Sequence, residues 1–98
     1  MTRTAEYTAS DAVRQREALA QELTARGFHA EMKSVDGYEC VHVVSRTVPE
    51  LAEDVRAFPD SDGIWWFWWS WDDRITDIGE VEAAAFKVAY VLTPEVHG

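Results

Sequence analysis

Ninety-eight residues give room for one domain, which hides roughly 60–65% of the surface its unfolded chain exposes. Hydrophobic residues at 47% and charged residues at 28% are a globular balance and exclude an intrinsically disordered or collagen-like chain. Eighteen acidic residues against nine basic ones leave a net charge of −9. That charge repels a phosphate backbone or an anionic membrane over most of the surface, so nucleic acid and membrane are poor partners.

Cys40 is the single cysteine, so no intrachain disulfide can form and a reducing cytoplasm is the expected compartment. The opening MTRTAEYTAS lacks the apolar segment of a signal peptide, and the apolar run 64–69 is far too short to span a bilayer. The expectation is one domain over residues 1–98, with loose tails at 1–9 and 93–98.

Ser10 is placed to cap a first helix that runs to Arg26, with Asp11 near its positive end and Gly27 free to close it. Its apolar stripe, Ala12, Leu19, Ala20 and Leu23, is narrow and interrupted by Arg16. From Phe28 to Ser45 the period changes to two, and Asp36-Gly37 between the alternating runs predicts a hairpin with a two-residue turn. Val35 then faces Tyr38, Met32 faces Val41, and Ala30 faces Val43. One side carries Phe28, Ala30, Met32, Val41 and Val43 toward the helices; the other carries His29, Glu31, Lys33, Val35, Tyr38, Cys40, His42 and Val44.

Residues 47–58 admit two readings. Thr47 and Glu50 form a capping-box pattern with Pro49 early in a short helix. Against it, the turn-rich 59–63 and the strand that follows have the grammar of a second hairpin, which favours a strand at 53–58. Residues 64–71 read IWWFWWSW, a strand with bulky residues on both sides. Asp72-Asp73 turns the chain into a short strand at 74–78. Asp77 and Glu80 are spaced to box a closing helix at 79–92, whose stripe is Val81, Ala84, Ala85, Val88 and Leu92 before Pro94 ends it. Phe86 and Tyr90 lie on another flank. The predicted fold is α+β: a two-layer α-β-β-β-β-β-α domain, its sheet an antiparallel meander with both helices on one face.

All five tryptophans fall between 65 and 71. Alternation sends Trp65, Phe67, Trp69 and Trp71 to one side and Trp66 and Trp68 to the other. One helical layer covers one side, so either neighbouring chain covers the second row or that row is an interaction surface. Hiding about 300 Å² of it would contribute roughly 7 kcal/mol before association costs. Trp65, Trp66, Trp68, Trp69, Trp71 and the adjoining Arg74 are therefore the candidate binding residues, tryptophan and arginine being the usual interface anchors. The expected function is a non-enzymatic accessory or regulatory module that binds a protein partner or a second copy. An apolar small-molecule binder is the alternative.

A third class places chemistry on the hairpin, where His29, Glu31, Cys40 and His42 share a side. They are zinc-ligand types, but strand neighbours stand roughly 5–7 Å apart and point in parallel, and no CxxC or HxxxH spacing is present. Cys40 with His42 as base would make a thiol nucleophile, without a glycine-rich oxyanion loop or a third orienting group. A solvated face with a His42–Glu31 contact and a half-buried thiol is the expectation, and neither a cofactor nor a metal is expected. The carboxylates Asp60, Asp62, Asp72, Asp73, Asp77 and Glu80 are read as solvated turns and caps.

At WWFWWSWDDRITDIGEVEAAAFKVAYVL the chain resembles a group of small, acidic, uncharacterised actinobacterial proteins. Trp66, Phe67, Trp68, Trp69, Ser70 and Trp71, then Asp72-Asp73, Arg74 and Ile75, carry the resemblance. It implies an N-terminal helix, an aromatic strand and an alanine-rich last helix, and it brings no established activity. Many such sequences have glycine near position 72, where this one has aspartate.

Overall fold

The computed structural model describes residues 7–94. The elements are α1 (Ala9–Ala25), β1 (His29–Val35), β2 (Tyr38–Val44), β3 (Ala52–Pro59), β4 (Trp65–Trp68), β5 (Arg74–Asp77) and α2 (Val81–Val91). The strands pair antiparallel in chain order as one sheet, as the short connections require. Buried residues of both helices join Val41, Val43, Val55 and Phe67 in one cluster, so both helices lie on the same face. Among the described residues no helix is long and apolar enough to cross a membrane.

The cap of α1 is Thr8 rather than Ser10. Thr8 Oγ1 accepts the Asp11 N–H at 3.1 Å, and Asp11 Oδ2 accepts the Thr8 N–H at 2.9 Å, a reciprocal pair that Ser10 has no acid at the right spacing to form. The stripe Ala12, Leu19, Ala20 and Leu23 is buried, and Arg16 lies buried with it, its Nε without a hydrogen-bond partner among the described residues. Of the expected tails, 1–6 and 95–98 lie outside the described residues. Tyr7 packs on the core, and its hydroxyl lies against Gly79, where a Cβ would clash with it.

The β1–β2 hairpin has the pairing read from the sequence, Val35 with Tyr38, Met32 with Val41 and Ala30 with Val43. Its turn holds Asp36 at φ 53° and Gly37 at φ 82°, both in the left-handed region that a type I′ turn demands. No helix forms at 47–50. Ser45 Oγ accepts the Val48 N–H, the Ser45 N–H donates to Leu51 O, and this compact loop delivers β3.

β4 ends at Trp68, three residues before the expected limit. The Trp69 N–H donates to Asp73 O, the Asp72 N–H donates to Trp69 O, and Asp72 sits at φ 70°, so the turn begins inside the aromatic run. Buried Glu53 holds this turn by accepting the Ser70 N–H. The expected Asp77–Glu80 box is absent: Asp77 Oδ1 accepts the Gly79 N–H instead, Glu80 makes no side-chain cap bond, and α2 starts at Val81. Ala84, Ala85, Val88 and Leu92 are buried and Val81 is partly so, while Phe86 and Tyr90 are exposed.

Candidate functional site

Strand pairing fixes which aromatic rings share a surface. Phe67 is opposite Ala57 on the helix side and fully buried; Trp65 and Trp69 join it there, the first half-buried and the second 8% exposed. Trp66 and Trp68 point to the side without helices and are half-buried. Of the six candidate residues, only Trp66, Trp68 and Arg74 come together on that side. Trp69 is a core residue, capped by Trp71, whose ring stacks on it at 4.8 Å and 7°. Trp71 itself is 51% exposed at the turn, with Nε1 donating to Asp73 Oδ2.

Two cross-strand rows build the helix-free face. In the first, Tyr38 of β2, Phe58 of β3 and Trp66 of β4 lie side by side; Phe58 meets Tyr38 edge-on at 5.7 Å and 79°. In the second, Cys40, Arg56, Trp68 and Arg74 follow one another across β2 to β5. Cations lace the rows together. The Arg74 guanidinium stands 4.7 Å from the Trp66 ring and 5.8 Å from Trp68, and Arg56 stands 5.6 Å from Tyr38, all within cation–π range. Arg56 Nη2 also donates to Asp72 Oδ1 at 2.9 Å.

The indole N–H groups are satisfied within the protomer, Trp66 Nε1 on Asp60 Oδ2 at 2.9 Å and Trp68 Nε1 on Phe58 O at 3.1 Å. Asp60 also accepts the Ile64 and Asp62 N–H groups. The Ile64 bond first, then the Trp66 bond, hold its carboxyl below the usual aspartate range. With their polar atoms occupied, the rings offer flat apolar area. Tyr38 and Phe58, 48% and 40% exposed, are the open end of the first row.

Beside them Tyr38, Cys40, Asp54, Arg56 and Ser70 line a shallow cleft of about 220 Å³. Cys40 is 1% exposed, more deeply buried than expected, and burial, then the nearby Asp54 charge, push its thiol above the ordinary value. The contact His42 makes is with Asp54 of β3, Nδ1 lying 2.6 Å from Asp54 Oδ1, and not the one expected with Glu31, its neighbour on β1. His29, Glu31, Cys40 and His42 do not converge, and the described residues hold no group of three metal-ligating side chains.

Sequence reasoning missed Arg56 and Phe58 as members of this face. Their parity depends on the 45–51 loop that brings β3 beside β2, and no pattern in that loop specifies its length in strand terms. The hairpin register places Tyr38 on this side, but nothing in the local pattern names its ring neighbours. Comparison of the chain with protein-family models, with curated proteins and with solved structures gives no match.

Proposed function

We propose that the protein is a non-enzymatic binding module that docks a protein partner on the helix-free face of its sheet. The observation that carries this reading is the row Tyr38–Phe58–Trp66, three aromatic side chains in register on three strands without a covering layer among the described residues. Rings held by neighbouring cations and hydrogen bonds lose little conformational freedom on binding, which favours association. Roughly 200–300 Å² of apolar area on such a row amounts to about 5–7 kcal/mol of gross burial energy, against which association costs are set. Arg56 and Arg74 supply directional polar contacts beside the rings, the residue type most often found at interface hot spots. Asp54, Asp60 and Asp72 form an acidic border that steers toward a partner with basic residues at its edge.

The test is a photo-crosslinking residue at position 58 in the native host, paired with the Trp68→Ser and Arg74→Ala variants. The expected result is one discrete crosslinked protein whose yield falls at least tenfold in either variant while circular dichroism is unchanged. Equal crosslinking in both variants would overturn the reading. So would a fluorescence response of Trp66 and Trp68 to small apolar molecules with no protein crosslink, which would assign the face to a ligand instead.

A further inference from the structure

The two sheet edges are unlike one another. β5 has four residues and a register irregularity against β4. β1 has seven residues, His29–Val35, without proline, glycine or a bulge, and among the described residues nothing pairs with its outer side. An edge of that length and regularity is a template for another strand unless side chains guard it.

We infer that β1 pairs with β1 of a second copy, antiparallel about a twofold axis at Met32, to join two sheets into one of ten strands. Three constraints select this pairing. The first is backbone parity. The two-residue turn makes Val35–Tyr38 the closing hydrogen-bonded pair, so odd-numbered residues of β1 bond to β2 and Ala30, Met32 and Ser34 direct their N–H and C=O groups outward. An antiparallel partner must set outward residues opposite outward residues, which Met32 opposite Met32 and Ala30 opposite Ser34 satisfy.

The second constraint is overlap. Centring on Met32 pairs all seven residues, about six intermolecular backbone hydrogen bonds, and any other symmetric register pairs fewer. The third is charge. Centring on Met32 sets Glu31 opposite Lys33 of the second copy and Lys33 opposite its Glu31, at the closely spaced non-hydrogen-bonded sites where side chains interact most. Sliding one strand by two residues sets Glu31 against Glu31 or Lys33 against Lys33, which is repulsive. A lone lysine on an edge would guard it; a glutamate and a lysine flanking the axis are self-complementary. Both are exposed, and neither makes an ion pair with another described residue.

On the helix side, Ala30 and Met32 pack at the margin of the core and are only partly covered, so a second copy would complete their burial. The axis runs perpendicular to the sheet, so both helix-free faces point the same way. The two β4 strands then lie seven strand spacings, about 34 Å, apart before twist. The pairing is independent of the proposed partner surface.

Sedimentation velocity across roughly 1 µM to 1 mM protein tests it. The expected result is a concentration-dependent dimer. Ser34→Pro, which removes an outward N–H and no bond within the protomer, abolishes it. Glu31→Lys and Lys33→Glu each weaken it by roughly tenfold or more, having turned two attractive pairs repulsive, and the double exchange restores it to within about threefold. A wild-type chain that stays monomeric throughout would overturn the inference. A dimer that survives Ser34→Pro, or a double exchange no better than the single reversals, would do the same. Loss of the dimer in Phe58→Ser but not in Ser34→Pro would move the second copy onto the aromatic face.

Discussion

Asp60 ties a turn to the site through one carboxylate. Its Oδ1 accepts the Asp62 and Ile64 N–H groups at 2.8 and 3.0 Å, and its Oδ2 accepts Trp66 Nε1 at 2.9 Å. These bonds favour the charged form, so the folded protein holds this carboxyl below the ordinary 3.8 of aspartate. A depressed folded-state value contributes stability that is present above 3.8 and is lost as pH falls through the lower value. Thermal melts between pH 5 and pH 2 should therefore show a steeper loss of Tm in the wild type than in Asp60→Asn, which keeps an acceptor oxygen and cannot titrate. Parallel curves would contradict the assignment. Cys40 makes the opposite case, since burial raises its thiol and removes it from solvent. Its reaction with a disulfide reagent at pH 8 should be at least about 100-fold slower in the native protein than in concentrated urea. Similar rates would mean that the cleft opens readily.

At the scale of elements, what the sequence disclosed depended on whether one short pattern had one physical outcome. Asp36-Gly37 between alternating runs has one, because few residue pairs take two consecutive left-handed positions, and the β1–β2 pairing followed from it to the residue. Helix caps have several. Ser10 and Thr8 are both good capping residues, and only Asp11, three after Thr8, decides between them. Asp77 and Glu80 had the spacing of a box, but the Asp77 carboxylate meets the Gly79 N–H first, a two-residue closure that outcompetes the longer one. The length of β4 was hidden for a different reason. Aromatic residues continue to Trp71 while the backbone has already turned, held by buried Glu53, a tertiary contact that no local pattern encodes. If the Thr8–Asp11 pair is the cap, Thr8→Ala should cost about 1 kcal/mol in urea unfolding and Ser10→Ala a few tenths. Equal costs would return the cap to Ser10.

The molecule as a whole is a sheet with two unlike sides, and the aromatic run serves both. Composition showed that five indoles in seven residues exceed what one helical layer can cover, but which row faced outward depended on the parity of β4 against β3. Ala57 opposite Phe67 and Phe58 opposite Trp66 settle that parity. Phe67 and Phe58 then offer matched probes, the same side chain on adjacent strands and opposite faces. Phe67 is fully buried among the helices, so Phe67→Ala should leave a cavity and cost about 3–5 kcal/mol. Phe58 is 40% exposed and touches Tyr38 edge-on, so Phe58→Ser should cost only about 1 kcal/mol, chiefly the ring contact and strand preference. Urea unfolding followed by far-ultraviolet circular dichroism measures both on one scale. A small difference between the two would mean that the helix-free rings contribute to the fold as heavily as the core, leaving no inexpensive surface for a partner. A difference of about 2 kcal/mol or more, with Phe58→Ser itself costing about 1 kcal/mol, would leave the Phe58 ring largely dispensable for the isolated fold, as a docking surface requires.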